Sequence, residues 1–239
     1  MEKLKIGAEG LGLKLSEKQL ALFQTYYEEL IDWNQRMNLT AITEYDKVQI
    51  NHFLDSLTVF SAWKPSVNNP QPEVIDIGTG AGVPGIPLKI VFPEIRLILM
   101  DSTTKKTTFL NHLKQKLRMD DIKVITGRAE EVAHRSPYRE RFDLVLARAL
   151  APMATLVELT LPFCKIGGRV IAHKKGDIEQ EIDSAKKAVI ILGGKLEEVK
   201  SINLTEFPDR RCLIVIDKIA STPVQYPRRS GMPVKKPIT

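Results

Sequence analysis

The stretch that most constrains this chain is Val74-Ile75-Asp76-Ile77-Gly78-Thr79-Gly80-Ala81-Gly82-Val83-Pro84-Gly85. Val74, Ile75 and Ile77 form an apolar run broken only by Asp76, the pattern of a strand buried on both faces in a parallel sheet. Gly78, Gly80 and Gly82 follow at once; such glycines permit positive φ and leave no Cβ between backbone and ligand. Pro84 suits the first turn of a helix, where its missing N–H costs nothing. Strand, glycine turn and helix start together predict a cradle for a nucleotide-like ligand.

The spacing narrows that ligand. The dinucleotide fingerprint G-x-G-x-x-G/A, started at Gly78, needs Gly or Ala at position 83. Val83 stands there instead, and the third glycine comes one residue early. Gly-x-Gly-x-Gly after a strand ending in Asp-x-Gly looks like motif I of the class I S-adenosylmethionine (SAM) methyltransferases. The next strand, from Arg96 to Met100, ends in Asp101, about twenty residues beyond the glycines. An acid there accepts hydrogen bonds from ribose hydroxyls, of SAM or of NAD alike.

With 239 residues the chain has room for one large α/β domain and an extension. Helical spacing predicts a helix over 16–34, opened by a Ser16/Gln19 capping box, and a second over 44–62. These make an N-terminal helical extension, residues 1–70, closed by a loop from Pro65 to Pro72. The first fifteen residues carry no readable signal. Residues 71–220 alternate strands with helices, which predicts a Rossmann-like, doubly wound seven-stranded sheet. The short link between the last two strands, Leu196–Ile202 and Cys212–Ile219, predicts antiparallel pairing or insertion of the final strand between neighbours.

Residues 221–239 form a basic, proline-rich tail. From Lys218 onwards there are Lys218, Arg228, Arg229, Lys235 and Lys236 and no acid, which accounts for most of the net charge of +6. Such an end points to a polyanion, above all nucleic acid. No stretch is apolar and long enough to span a bilayer, and no apolar signal core follows the N-terminal residues, so a cytoplasmic protein is expected. Cys164 and Cys212 sit in apolar contexts without metal-ligand spacing, and read as buried free thiols; no metal is expected.

Ligands of open parallel sheets bind at the carboxyl ends of the strands. Those ends offer Gly78 to Val83, Asp101, Ala129-Glu130 and Ala147-Arg148-Ala149. Enzymes that methylate exocyclic amines carry Asn/Asp-Pro-Pro-aromatic after the fourth strand, where this chain has Ala-Arg-Ala-Leu. Covalent methylation of a pyrimidine carbon needs a thiolate, and both cysteines fall away from these ends. A ring nitrogen such as guanine-N(7) needs neither, because it presents a lone pair and has no proton to lose. No catalytic residue is therefore assigned. Arg148 can serve as a fork for a carboxylate or phosphate, or as an ion-pair partner. His52, Asp55 and Ser56 share one helix face and read as local hydrogen bonding that holds the extension to the sheet.

Taken together, several motifs resemble one family. They are Trp-Asn-x-x-x-Asn-Leu-Thr at 33–40, His-x-x-Asp-Ser at 52–56, the glycine segment at 76–88, Asp-Ser at 101, Arg-Ala-Glu-Glu at 128, Ala-Arg-Ala at 147, and Tyr-Pro-Arg-Arg-x-Gly-x-Pro-x-Lys-x-Pro at 226–237. The family is RsmG, also known as GidB, the bacterial methyltransferase of guanine-N(7) in the 530 loop of 16S ribosomal RNA. The resemblance implies that Gly78, Val83, Ala129, Glu130 and Arg148 contact SAM, with Gly80, Gly82 and Asp101 in the same pocket. It implies 16S rRNA in the small ribosomal subunit, or a late precursor, as substrate. Arg228, Arg229, Lys235 and Lys236 are then expected to hold RNA phosphates. The alternatives are a small-molecule SAM methyltransferase and a non-catalytic RNA-binding assembly factor.

Overall fold

A computed structural model describes residues 1–239. Seven strands form one sheet in the order β3-β2-β1-β4-β5-β7-β6. They are β1 (Glu73–Ile77), β2 (Arg96–Asp101), β3 (Lys123–Thr126), β4 (Phe142–Arg148), β5 (Cys164–Lys175), β6 (Gly194–Ile202) and β7 (Arg211–Lys218). The first five run parallel, and β7 lies antiparallel between β5 and β6. Both expected arrangements hold: the last two strands pair antiparallel, and the final one inserts between its neighbours. Chain order reverses between β1 and β4, and ligands of such sheets sit outside the strand ends at that switch point.

The extension begins with α1 (Glu2–Gly10) and α2 (Glu17–Met37). Ser16 caps α2 with the reciprocal Gln19 bond of a capping box. The helix runs three residues beyond the expected end at 34, because Met37 still packs on the core; Asn38, at φ 50°, then turns the chain. The second expected helix is not uniform. It passes from α3 (Tyr45–Val48) through a π-helical segment, Gln49–Leu54, into α4 (Asp55–Leu57) and a 3-10 turn, Thr58–Ser61. A π segment widens the turn and re-aims its side chains, here Asn51 and His52. The unread N-terminus is packed: Leu4 and Ala8 are buried, and Gly7 lies so close to Leu54 that a Cβ would come within 2.3 Å of it.

Side chains of β1 alternate between two cores. Val74 points to the face covered by α2, α5 (Gly85–Val91) and α6 (Thr104–Lys116). Ile75 and Ile77 point to the face covered by α7 (Ala129–Val132), α8 (Met153–Thr160) and α9 (Glu179–Ile191). Pro84 stands just before α5, one residue outside the helix it was expected to open. Cys164 begins β5, extending that strand back past the Gly167-Gly168 turn, rather than ending a helix. A short α10 (Met232–Lys235) lies within the C-terminal segment. No helix is long and apolar enough to cross a membrane.

Candidate cofactor cleft and its surroundings

The glycine loop leaves β1 and is pinned from three sides. Gly78 and Thr79 donate their backbone N–H groups to the Met100 carbonyl, at 2.8 and 3.1 Å. Asp76 Oδ2 accepts from Thr79 Oγ1 at 2.6 Å and from the Gly85 N–H at 2.8 Å, tying the loop's two ends together. Tyr26 of α2 donates its hydroxyl to the Ala81 carbonyl at 2.6 Å. Burial pushes the Asp76 carboxyl up to about 6, against the two bonds it accepts. Its Oδ1 is buried without a partner, an acceptor that a bound amine or hydroxyl would satisfy.

Beside the loop, a cleft of about 270 Å³ opens at the carboxyl ends of β1 to β4. Gly78, Asp101, Thr103 and Lys106 line it towards α6; Arg128, Ala129 and Glu130 line it from the end of β3; Leu150 and Val234 close the remaining side. Gly78 has φ +69°, and a Cβ there would lie 2.5 Å from Leu150 Cδ1. Gly80, at φ +60°, would bring a Cβ no closer than 4.0 Å to its nearest neighbour, the Gly78 carbonyl. Asp101 accepts from the Gly80 N–H at 3.0 Å and from the Thr103 N–H at 2.9 Å, and keeps lone pairs for a ligand.

Of the expected donor-site residues, Gly78, Asp101, Ala129 and Glu130 meet at this cleft. Gly80 joins through its bond to Asp101. Gly82 and Val83 turn the other way. A Cβ on Gly82 would come within 2.6 Å of Ile86 and 2.9 Å of the Tyr26 hydroxyl, so this glycine serves packing. Val83 belongs to the core beneath α2 and α6.

Arg148 is neither a free fork nor a surface pair. Its Nη1 donates to Asp55 Oδ2 at 2.7 Å and to the Asn51 carbonyl at 3.0 Å; its Nη2 donates to His52 Nδ1 at 2.7 Å. Asp55 also pairs with Arg211 Nη1 at 2.6 Å. Burial alone would raise the Asp55 carboxyl, but His173, Arg148 and Arg211 together hold it below its ordinary value. Burial, then the charge of Arg148, pushes His52 down to about 4, and burial does the same to His173. Because His52 Nδ1 accepts from Arg148, the ring proton sits on Nε2 and is donated to Thr40 Oγ1 at 2.8 Å. The face shared by His52 and Asp55 thus does what its spacing suggested: it bolts the extension to the ends of β4 and β7.

The tail departs most from expectation. Arg228 turns inward: its Nε and Nη2 donate to Glu158 at 2.9 and 2.6 Å, and its backbone N–H to the same carboxylate at 2.8 Å. Glu158 is fully buried in α8, so Arg228 neutralises a core carboxylate with its Nε and Nη2 edge. Gly231 donates its N–H to Glu130 at 2.9 Å, and Thr155 donates its hydroxyl to the Pro233 carbonyl at 2.9 Å. Val234 thereby becomes a wall of the cleft. Arg229, Lys235 and Lys236 remain exposed.

Tyr26, Thr79, Leu150, Arg211 and Glu158 escaped the sequence reading. Glu158 alone left a trace, as the one carboxylate in the apolar run from Met153 to Phe163, where a buried charge demands a partner. Leu150 left none.

Residues 19–211 match the family described as rRNA small subunit methyltransferase G, GidB. Ribosomal RNA small subunit methyltransferase G of Dehalococcoides mccartyi is 49% identical over 238 residues, covering 100% of each chain. That of Lachnoclostridium phytofermentans is 45% identical, covering 97% of this chain and 95% of its own. Among solved structures, M. jannaschii TYW2 in complex with AdoMet superposes with TM-score 0.50 at 17% identity, over 63% of this chain and 71% of that one. A geranyl diphosphate methyltransferase in complex with SAM does so with TM-score 0.52 at 11% identity, over 69% and 84%. These two share the fold. The switch-point cleft and the glycine loop thus accompany a match spanning most of the sequence, and the chain belongs to the rRNA small subunit methyltransferase G (GidB) family.

Proposed function

We propose that this enzyme transfers a methyl group from SAM to N(7) of a guanine in the 530 loop of 16S rRNA, on the small ribosomal subunit or a late precursor. Family membership supports an rRNA methyltransferase and carries the guanine-N(7) target; the cleft supports the donor. The observation that carries the donor is the polar cleft at the strand-order switch, with an acid at the end of β2 and glycines at the end of β1. Gly78, Asp101, Ala129 and Glu130 would hold the nucleoside half, with Gly80 kept in place by Asp101. The loop's other side, with Val83, Asp76 and Arg148, is assigned to the amino-acid half. Contact by Arg148 requires it to share its guanidinium with Asn51, His52 and Asp55.

Bound SAM supplies an electrophilic methyl on a sulfonium, which leaves as a neutral thioether while the positive charge passes to the methylated purine. The protein's task is to place a lone pair in line with that methyl and to exclude water. N(7) needs no general base, so the reaction asks no proton transfer of the carboxylates at the cleft. His52 is an unprotonated imidazole spent on Arg148 and Thr40. Burial pushes the Cys164 thiol up to about 12 and raises Cys212 as well, so neither supplies a thiolate. A loop guanine can be splayed into such a site at low unpairing cost. Arg229, Lys235 and Lys236, and not Arg228, would position the phosphates.

The experiment is methylation of small subunits from a strain lacking the gene, with radiolabelled SAM. Label is expected at one 530-loop guanine, at a position that becomes sensitive to reduction and aniline cleavage. No label, or label on an exocyclic amine or a carbon, would overturn the reading.

A further inference from the structure

The exposed side of α6 takes no part in holding the donor or in seating the tail. From Thr104 to Lys116 this helix carries Lys105, Lys106, Lys114 and Lys116 and no acid, and Arg118 follows directly. A surface helix selected only for stability alternates charges at i,i+4 and places acids in its first turn, against the positive end of the helix dipole. Here the first turn has no acid and two lysines. The remaining exposed positions, Thr104, Thr108, Asn111 and Gln115, fall on one stripe of helical spacing, and all can donate a hydrogen bond; Arg118 stands just past the helix end, at φ 55°. Ion pairs on the helix involve only Lys106 with Asp101 and Lys116 and His112 with Glu29. Lys105 and Arg118 face solvent.

The placement of this face gives it meaning. Thr103 and Lys106, at the start of α6, line the cleft on one side, and Val234, followed by Lys235 and Lys236, lines it on the other. The helix covers one face of the sheet and the tail packs on the other. Two basic elements therefore bracket the cleft from opposite faces.

We propose that the outer face of α6 is a second RNA-binding surface, which holds the single-stranded backbone on the side of the cleft opposite the tail. This rests on the proposed rRNA methyltransferase function. Lys105 stands in the first turn of α6 and Arg118 just past the last, so the two charges mark opposite ends of a helix about 20 Å long, enough to follow a few nucleotides. Hydroxyls, amides and cations without carboxylates make a phosphate-and-sugar contact set, which orients the strand and leaves base choice to the pocket.

The test is the double substitution Lys105→Gln with Arg118→Gln, two charges that neither line the cleft nor form an ion pair. Binding of 530-loop RNA is followed against salt, with S-adenosylhomocysteine binding as a control for the fold. The log-log salt slope should fall by about 1.4, since each phosphate contact on a single strand contributes roughly 0.7. KM for the RNA substrate should rise about tenfold with kcat unchanged. Lys105→Arg with Arg118→Lys, which keeps both charges, should behave as the wild type. An unchanged slope and KM in the Gln variant would overturn the proposal. So would a slope that responds only to Arg229, Lys235 and Lys236, since RNA would then lie on the tail side alone. Absence of methylation by the wild type would instead bring down the functional reading itself.

Discussion

Replacing Arg228 with Ala separates two roles that the sequence cannot tell apart. The guanidinium makes two good hydrogen bonds to a carboxylate that is completely buried, while the arginine side chain keeps 26% exposure. Removing one partner of a fully buried pair costs about 3–5 kcal/mol, because the other charge is left uncompensated. Solvent already reaches Arg228, and the truncated side chain would admit water to Glu158, so the cost here is reduced to about 2–3 kcal/mol. For a chain of this length each kcal/mol lowers Tm by about 2–4 °C, which predicts a drop of about 5–10 °C. Urea unfolding of Arg228→Ala, Glu158→Gln and the double variant forms a cycle. The coupling between the two sites should be about 2 kcal/mol. The salt slope of RNA binding should stay that of the wild type. A stability change under about 0.5 kcal/mol, with a salt slope lowered by about 0.7, would refute this argument and return Arg228 to the RNA-binding set.

Stability should decline as the pH falls from 7 towards 4. His52 and His173 are both held near 4 in the fold against an ordinary 6.5, so the unfolded chain takes up their protons first. Their contribution, about 3 kcal/mol each at most, is present above pH 6.5 and is lost as the pH falls towards 4. Asp76, raised to about 6, opposes this in part, since its contribution is present below about 4 and is lost as pH rises through 6. A urea midpoint that does not move between pH 7 and 4.5 would contradict the burial of both imidazoles. Asp101→Ala should weaken S-adenosylhomocysteine binding by about 10- to 100-fold, from the loss of ribose acceptors and of the Gly80 tether; calorimetry showing an unchanged Kd would mean the donor lies elsewhere. Cys164→Ala and Cys212→Ala should methylate RNA within about twofold of the wild-type rate, and loss of turnover in a folded variant would point back to a thiolate mechanism.

The path of the chain was legible wherever one residue type has one physical job. The Ser16/Gln19 pair marked a helix start, the glycines after Ile77 marked the cradle, and the Val/Ile runs marked buried strands. Helix ends were less legible because packing of Met37 and the π segment at Gln49–Leu54 are tertiary effects. At the site, Gly78, Asp101, Ala129 and Glu130 were legible because strand ends converge in any doubly wound sheet. The ion pairs of Arg148 and Arg228 were not legible for a common reason: an arginine's partners lie far away in the chain. Asp55 is 93 residues from Arg148, and Glu158 is 70 from Arg228. Charge counting sees the guanidinium, but not the carboxylate that has already claimed it.

Truncation is a poor probe of this enzyme's C-terminal segment. Cutting the chain after Ala220 would remove the Arg228 counter-charge of Glu158, the Gly231 N–H that holds Glu130, and the Val234 face of the cleft at one stroke. An inactive truncate would then report a damaged cleft as readily as lost grip on a substrate. Only point changes at Arg229, Lys235 and Lys236 keep those two failures apart.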